Sequence, residues 1–376
     1  MNKLVIIGAN DFQNRLILKA KSLGYETHVF AWKDGSIGEQ TADFFYPISI
    51  IEKDQILEKC REINPVGVCT IASDLAANTV TYVAQNLGLC SNTIESIEKC
   101  SNKYSMRKAL EQADVCVPKY YKASSIHDVD LENIEFPIIV KPTDRSGSRG
   151  ITKLFTTDGL NEAIERAKKD SFENKAIVEE YFEGNEYSAE CISYKSKHRL
   201  LAVTKKYTTG SPNYIETAHC EPSDLSGKII EKIKNELFKA LDALEIQYGA
   251  SHPEFKVDSD GNVKIIEIGA RMGGDCIGSD LVPLSTGYDF VKMVIDVACG
   301  EEPDFTIKPH YKNVWIKFIF NESDIQDMEA FVNNYKDQII RISDMELENI
   351  GKTVDSSSRI GYYIFVDVHC EQGGCK

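Results

Sequence analysis

The chain has 376 residues, of which 42% are hydrophobic and 27% are charged. This composition is typical of a globular protein with about two or three domains, and it excludes disordered, collagen-like and coiled-coil chains. With 58 acidic and 43 basic residues the net charge is −15. Because such a surface repels phosphate backbones, nucleic acid is not expected as a partner. No apolar run approaches the ~20 residues that cross a bilayer, so no membrane partner is expected either.

The eleven cysteines show no metal-ligand spacing, although Cys370 and Cys375 lie close together near the C-terminus. The apolar stretch over residues 1–8 is shorter than a signal peptide requires. Both features predict a cytoplasmic protein whose cysteines are reduced and serve as small buried hydrophobic residues.

The first 95 residues alternate apolar strands with helices. Residues 3–8, 26–31 and 66–71 are strand-like runs, and helical patterns follow the first and the third. This alternation predicts a doubly wound α/β domain over residues 1–95. Gly8 ends the first strand, but the following residues lack the further glycines of a dinucleotide-binding turn. A plain strand–turn–helix unit is therefore favoured over an NAD site.

Short strands with turn signals replace this pattern between residues 115 and 190, where we expect a small α+β lobe. A long amphipathic helix follows over 228–244, and a hairpin is predicted around 258–261. The last 75 residues mix strands with one helix. The predicted organisation is a domain over 1–95, a second domain over 96–300 that contains the lobe at about 115–190, and an α+β subdomain over 301–376.

Residues 141–150 (KPTDRSGSRG) combine two glycines and two serines with three cations. Backbone N–H groups of such a loop can surround phosphate oxygens, and Lys141 can neutralise them. The glycines follow the lysine, so this is not a Walker P-loop, and a surface hairpin turn would have the same composition. Lys103 lies on the apolar stripe of a helix predicted over 102–113, so its side chain either reaches past the helix end or points into a site.

A third polar pattern follows at residues 179–190. Glu186, Ser188 and Glu190 alternate with apolar residues and therefore share one face of a predicted strand. An edge strand wetted on one side would give the same alternation. The preceding residues 179–182 (EEYF) can form a hinge whose backbone meets the edge of an adenine.

The strongest constellation is Glu254 with Glu267. A four-residue hairpin loop over 258–261 would pair Glu254 with Ile265 and would leave Glu267 as a diagonal neighbour roughly 7 Å away. Two such carboxylates repel each other unless a cation lies between them, and Mg²⁺ with phosphate oxygens suits the pair. Arg271 follows in a second glycine-rich turn. An arginine together with a metal and a phosphate loop is typical of phosphoryl transfer. Solvated acidic residues on a hairpin are the alternative.

These segments, in this order, resemble the ATP-grasp superfamily of carboxylate–amine ligases, in the branch of carbamoyl-phosphate-synthase-like, biotin-carboxylase-like and L-amino-acid ligase proteins. The resemblance covers nearly the whole chain and implies an ATP-grasp fold of mixed α/β and α+β class. Such a fold has an N-terminal doubly wound pre-ATP-grasp domain, a lid (here the lobe at about 115–190) and a C-terminal mixed lobe. Four segments carry the resemblance: 101–107 (SNKYSMR), 139–150 (IVKPTDRSGSRG), 178–190 (VEEYFEGNEYSAE), and 252–254 (HPE) with 266–275 (IEIGARMGGD).

The resemblance also implies roles for individual residues. ATP would be bound by Lys103, Lys141, Ser146, Gly147, Ser148, Glu179, Glu180, Phe182 and Glu186. Mg²⁺, or Mn²⁺ as an alternative, would be bound by Glu254 and Glu267, while Arg271 and Lys141 would act on the reacting phosphate. One departure is Gly269, which stands where many members of the family have a metal-binding asparagine. A second metal would then depend on water, substrate or Glu267.

The expected reaction forms an amide from a small carboxylate, such as an amino acid, through an acyl phosphate. In the segment 205–222 we expect Glu216 to receive a substrate ammonium, and His219 and Arg271 to approach the carboxylate end. A bicarbonate- or formate-activating enzyme, a purine-pathway ligase and an ATP-binding protein without turnover are the alternatives. The expected partners are ATP and small carboxylate and amine substrates, and a homodimer is the default oligomer.

Overall fold

The computed structural model describes residues 1–147, 149–211, 214–307, 312–352 and 358–367. Within these residues the strands form three sheets, one parallel sheet of four strands, one antiparallel sheet of four strands and one antiparallel sheet of eight strands. We call them the N-terminal sheet, the lid sheet and the central sheet. This combination confirms the predicted fold class.

The N-terminal sheet has the order β3-β2-β1-β4, with all neighbours parallel. The inner strand β1 and the neighbouring strand β4 are buried along nearly their whole length, as expected for strands of a doubly wound sheet. Strand β3 was not predicted, because its three residues are too few to show a period. The elements are β1 (Lys3–Ile7), α1 (Asp11–Ser22), β2 (Glu26–Phe30), α2 (Ile37–Thr41), β3 (Phe44–Tyr46), α3 (Lys53–Ile63), β4 (Gly67–Cys69) and α4 (Asp74–Asn86).

Two helices, α5 (Ile94–Ser101) and α6 (Lys103–Gln112), lead from this unit to the lid sheet. The lid sheet has the order β5-β8-β6-β7 and packs against a single amphipathic helix. The glycine-rich loop predicted from the sequence joins its two strands β6 and β7. The elements are β5 (Tyr120–Ala123), β6 (Ile138–Pro142), β7 (Thr152–Leu154), α7 (Leu160–Asp170) and β8 (Ala176–Glu180).

The central sheet has the order β13-β12-β9-β10-β11-β14-β16-β15. Its strands come from both the middle and the end of the chain, so the C-terminal residues extend the same sheet. The elements are β9 (Asn185–Tyr194), β10 (Lys197–Thr208), β11 (Glu216–Glu221), α8 (Gly227–Ala243), β12 (Gly249–Val257), β13 (Val263–Gly269), a π-helical turn (Ile277–Leu281), α9 (Val282–Thr286), α10 (Phe290–Ala298), β14 (Asn313–Ile319), α11 (Glu322–Asn334), β15 (Ile339–Ile342) and β16 (Gly361–Asp367).

One hydrophobic core joins the N-terminal sheet to the central sheet. Leu4 and Val68 of the former belong to the same cluster as Phe290 and Val294 of α10 and Ile192 of β9. Burial of a shared apolar core holds two sheets in a fixed relation, because separating them would expose that surface to water. The N-terminal unit is therefore placed firmly beside the central sheet. The domain boundaries at residues 95 and 300 stay predictions.

Eight cysteines of the described residues are free thiols, and five of these are buried. Cys220 on β11 is disulfide-bonded, so the prediction of reduced cysteines is wrong at that position. Cys370 and Cys375 lie outside the described residues. No helix among the described ranges is long and apolar enough to cross a membrane.

Candidate nucleotide and metal site

A cleft between the lid sheet and the central sheet brings together most of the residues singled out from the sequence. Its lining includes Lys103, Lys141, Ser146, Gly147, Glu179, Glu180, Phe182, Glu186, Glu216, Glu254, Glu267 and Arg271. An adjoining cavity reaches towards the N-terminal unit and adds His219 and Asp74. Ser148 lies outside the described residues.

Lys103 is the first residue of α6 and is buried at the floor of this cleft. Its Nζ donates a hydrogen bond to the backbone oxygen of Arg145 (2.7 Å) and pairs with Glu267 Oε1 (3.0 Å). One lysine thus connects the glycine-rich loop to a candidate metal ligand. Its place on the apolar stripe reflects this inward direction, which was one of two interpretations left open by the sequence.

Lys141 on β6 is held by a buried carboxylate. Its Nζ lies 2.6 Å from Glu179 Oε2, and the other oxygen of Glu179 accepts from Arg107 Nε (2.5 Å). Burial acts to raise the pKa of Glu179, but Arg107 and Lys141 lower it to about 2. Arg107 Nη2 also donates to the backbone oxygen of Ile266 (2.7 Å). Glu179 therefore positions Lys141, and a direct contact between Glu179 and a nucleotide stays a prediction.

The residues after β8 form an aromatic corner at one end of the cleft. The ring of Tyr181 lies between two lysines, with Lys153 Nζ at 3.5 Å and Lys256 Nζ at 4.1 Å from its centroid. Lys264 Nζ lies 4.8 Å from the centroid of Phe182. Cations over aromatic faces are stabilised electrostatically, so this corner is fixed from both sheets. The sequence analysis placed Tyr181 in the predicted adenine hinge but did not predict its lysine partners, because nothing in the pattern shows them.

Lys206 on β10 lies at the centre of three carboxylates. Its Nζ is 2.8 Å from Glu254, 3.6 Å from Glu216 and 3.7 Å from Glu186. Burial alone would lower the pKa of Lys206, but these carboxylates raise it above its ordinary value. Burial raises the pKa of Glu186. Lys206 was missed from the sequence, since a lysine in an alternating strand is usually solvent-exposed.

The predicted hairpin register is wrong. Val257 pairs with Val263 instead of Asn262, and a bulge between residues 254 and 255 then places Glu254 directly opposite Glu267. The turn takes five residues because the Asp258 side chain accepts two backbone N–H groups of the loop, from residues 260 and 262. A bulge cannot be read from the alternation of side chains, because it shifts the pairing without changing residue types. The two glutamates are therefore direct cross-strand neighbours.

Each of the two glutamates has a basic partner. Glu254 accepts from Lys206 and lies 3.2 Å from His252 Nε2, while Lys103 holds Glu267. His252 Nδ1 in turn bonds Glu190 (2.5 Å). Burial acts to raise the pKa of Glu254, but Lys206 and His252 hold it well below its ordinary value. Both carboxylates are thus available as anionic oxygen donors.

Arg271 is held by the N-terminal unit. Its guanidinium makes two bonds with Asp74 of α4, Nε to Oδ1 (2.9 Å) and Nη2 to Oδ2 (3.0 Å). Burial alone would lower the pKa of Arg271, but Asp74 raises it above its ordinary value. The sequence analysis did not connect Asp74 to the site, because the two residues are almost two hundred positions apart.

The predicted substrate residues face charged groups of the chain itself. Glu216 Oε2 pairs with Arg359 Nη2 (2.9 Å), whose Nη1 pairs with Asp275 (2.9 Å). His219 is fully buried, and its Nε2 lies 3.4 Å from Asp275 Oδ2. Burial lowers the pKa of His219. A substrate ammonium at Glu216 would have to share the carboxylate with Arg359, so that role stays a prediction.

The three sheets have the arrangement of an ATP-grasp fold, and its cleft is lined by lysines, paired glutamates and a glycine-rich loop. Residues 134–280 match the family model described as an ATP-grasp domain. Alanine–anticapsin ligase of Bacillus subtilis (strain 168) is 26% identical over 308 residues, which cover 72% of this chain and 65% of that protein. D-Alanine–D-alanine ligase of Clostridium botulinum (strain 657 / Type Ba4) is 25% identical over 53% of this chain and 71% of its own.

Solved structures of ligases have the same fold. L-Amino acid ligase from Bacillus licheniformis superimposes with a TM-score of 0.82 at 21% identity, covering 97% of this chain and 93% of that one. Phosphoribosylglycinamide synthetase from Anaerococcus prevotii has a TM-score of 0.79 at 25% identity, with coverage of 97% and 94%. The match over residues 134–280 and the shared fold confirm the resemblance found in the sequence. The chain spans just under two thirds of the length of alanine–anticapsin ligase.

Proposed function

We propose that the protein is an ATP-dependent, ADP-forming ligase that joins an amino acid or a similar small carboxylate to an amine. One observation carries the proposal: Glu254 and Glu267 lie opposite each other in the cleft, each bonded to a lysine, with Arg271 beside them. Alanine–anticapsin ligase and D-alanine–D-alanine ligase are among the similar proteins, and they support an amino acid as the substrate class.

The donor set suits Mg²⁺. The described residues contain no group of three or more acidic, histidine or cysteine side chains that could form a complete protein cage for a metal. Mg²⁺ is usually bound by one or two carboxylates together with substrate phosphates and water, which matches a pair of glutamates beside a phosphate loop. Glu254 and Glu267 would hold it, or Mn²⁺ in its place, and the bound ion would neutralise negative charge on the phosphates.

The residues of the cleft would have separate roles in this reaction. Lys103 and Lys141 would bind the phosphates of ATP, and Ser146 and Gly147 would offer backbone N–H groups to them. A carboxylate oxygen of the substrate attacks the γ-phosphorus, the bond to ADP breaks, and an acyl phosphate results. The amine then attacks the acyl carbon, phosphate leaves, and the amine loses a proton. Arg271 would stabilise the acyl phosphate, and the lid would exclude water that could hydrolyse it.

The cavity that adjoins the cleft would receive the carboxylate and amine substrates. Glu216, His219 and Arg271 line it together with Lys206, so charged groups of both signs surround the space. Such a lining suits a zwitterionic amino acid better than bicarbonate or formate, which carry only negative charge. A cytoplasmic location and a homodimer stay predictions.

The test is a screen for ADP and phosphate release in the presence of ATP and Mg²⁺ with pairs of amino acids. We expect release that depends on at least one pair, with a peptide or amide as the coupled product. Parallel reactions contain bicarbonate, formate or a phosphorylated sugar amine, and release confined to one of these would replace the amino-acid proposal. If ADP only raised the melting temperature and no mixture gave turnover, the protein would be a nucleotide-binding protein without ligase activity.

A further inference from the structure

The glycine-rich turn after β13 is attached to the N-terminal unit at two points. The N–H of Ala72 donates to the backbone oxygen of Met272 (3.1 Å), and Arg271 makes its two bonds to Asp74. Asp74 is the first residue of α4, and the preceding Ser73 caps that helix with its side chain. Since a capped helix end on a packed sheet has little freedom, the Asp74 carboxylate is a fixed anchor for Arg271.

The pair lies close against Gly269. A Cβ atom added at residue 269 would lie 2.9 Å from Asp74 Oδ1 and 3.1 Å from Arg271 Cζ, closer than ordinary van der Waals contact. The backbone of Gly269 has no positive φ angle, so its conformation would allow any residue. The requirement for glycine therefore comes from the two side chains packed over it, and not from the backbone.

Arg271 has other anionic neighbours that it would approach if Asp74 were removed. Asp74 contributes most to its raised pKa, and Glu254 and Glu190 contribute in the same direction. A guanidinium released from Asp74 would be drawn towards these carboxylates and away from the position in which Asp74 holds it. Asp74 thus fixes one position of the Arg271 guanidinium among several carboxylates.

We propose that Asp74 is a positioning residue for Arg271, supplied by the N-terminal unit, and that residue 269 is a glycine because this pair occupies the space above it. The inference rests on the proposed function, in which Arg271 acts on the reacting phosphate. It gives the N-terminal unit a direct part in the site. It also gives Gly269 a positive role at the position where many members of the resembled family have a metal-binding asparagine.

The test is a double-mutant cycle of Asp74→Ala, Gly269→Ala and the combined variant, measured as turnover with the substrate pair from the screen. Gly269→Ala should reduce kcat by at least about tenfold in the wild-type background, since the methyl group breaks the pair. In the Asp74→Ala background the same change should cost less than about threefold, because its nearest contact, Asp74 Oδ1, is gone and the unpaired Arg271 side chain can move aside. If the combined variant lost kcat by the product of the two single losses, the two positions would act independently and the inference would be overturned. A fully active Gly269→Asn variant would also overturn it.

Two controls separate positioning from folding. Binding of ADP with Mg²⁺, measured by calorimetry, should stay within about twofold of wild type in Asp74→Ala, because Asp74 does not line the nucleotide cleft. Lys19→Met removes a second ion pair between the N-terminal unit and the rest of the chain, Lys19 with Asp289 (2.7 Å), remote from the site. This variant should keep wild-type turnover. If Lys19→Met lost as much turnover as Asp74→Ala, any contact between the N-terminal unit and the rest of the chain would matter. That result would overturn the specific role of Asp74.

A substrate-independent measurement keeps the inference separate from the proposed function. Phenylglyoxal modifies free guanidinium groups, and peptide mass spectrometry resolves the rate at Arg271. Asp74→Ala and Gly269→Ala should each increase that rate several-fold, the combined variant should add nothing further, and Lys19→Met should match wild type. Unchanged rates would overturn the inference. If these rates behave as expected while the wild type turns over no substrate pair, only the ligase proposal fails.

Discussion

Glu221 at the end of β11 provides a stability test that does not depend on any substrate. Its carboxylate is fully buried and accepts hydrogen bonds from Thr204 Oγ1 (2.7 Å) and from the Ser285 hydroxyl. No salt bridge to Glu221 occurs among the residues that the structure describes. Burial without a cation raises its pKa from 4.5 to about 7. The folded protein therefore binds this proton more tightly than the unfolded chain does.

The sign and size of the effect follow from that shift. The stabilisation is complete below about pH 4.5, and it is lost as the pH rises through about 7, because the charged form is disfavoured only in the folded state. At ~1.4 kcal/mol for each pKa unit the total change is about 3 kcal/mol. Glu221→Gln keeps a similar shape but carries no charge at any pH. The difference in unfolding free energy, variant minus wild type, should rise by about 2.5 kcal/mol when the pH is raised from 5 to 8.

Urea unfolding at pH 5 and pH 8 measures this difference directly. A Glu98→Gln variant on the exposed face of α5 serves as the control, since it removes the same charge at a solvated position. The unfolding free energy of the control should differ from that of wild type by the same small amount at both pH values. If the difference between wild type and Glu221→Gln were independent of pH, Glu221 would not be protonated in the folded protein, and the account of its burial would be refuted.

Three further predictions concern the cleft. Lys141→Met should weaken ADP binding by at least about tenfold in calorimetry but lower the nucleotide-free melting temperature only slightly, because Arg107 still neutralises Glu179; a collapse of the melting temperature would make Lys141 structural. Glu267→Gln should abolish turnover at ordinary Mg²⁺ levels, since an amide is a poor ligand for a hard dication, and full activity would move the metal site elsewhere. Glu216→Gln should raise the KM for the amine-bearing substrate and leave the KM for ATP nearly unchanged; no effect would end the assignment of Glu216 to the substrate.

The sequence predicted those parts of the site that lie on one element or in one short segment. Lys103 interrupts the apolar stripe of its own helix, and that local conflict allowed two interpretations, one of which was a side chain directed into a site. The loop over 141–150 could be recognised from its composition, because glycine, serine and cations stand together within ten residues. In such cases the chemistry and the signal share the same stretch of chain, so a periodicity or a composition is enough.

The parts that could not be predicted depend on distant contacts or on backbone irregularity. Asp74 reaches Arg271 from another sheet, and Arg359 reaches Glu216 from the C-terminal part of the chain. No pattern within either segment shows its partner. The bulge beside Glu254 changed the register by one residue, and the pairing of side chains is sensitive to such a slip because the strand period is two.

The charge balance of the cleft explains why a divalent cation and a nucleotide should bind together. Lys206 and Lys103 each neutralise one carboxylate of the Glu254–Glu267 pair, so neither lysine is fully available to a phosphate in this arrangement. Under the proposed function, a nucleotide that entered alone would have to draw Lys103 away from Glu267 and would leave two half-buried carboxylates facing its own negative charges. If a dication accompanied the phosphates, the carboxylates would gain a new partner and Lys103 would be released towards the phosphate oxygens. The same lysine would thus neutralise a carboxylate before the dication binds and a phosphate afterwards.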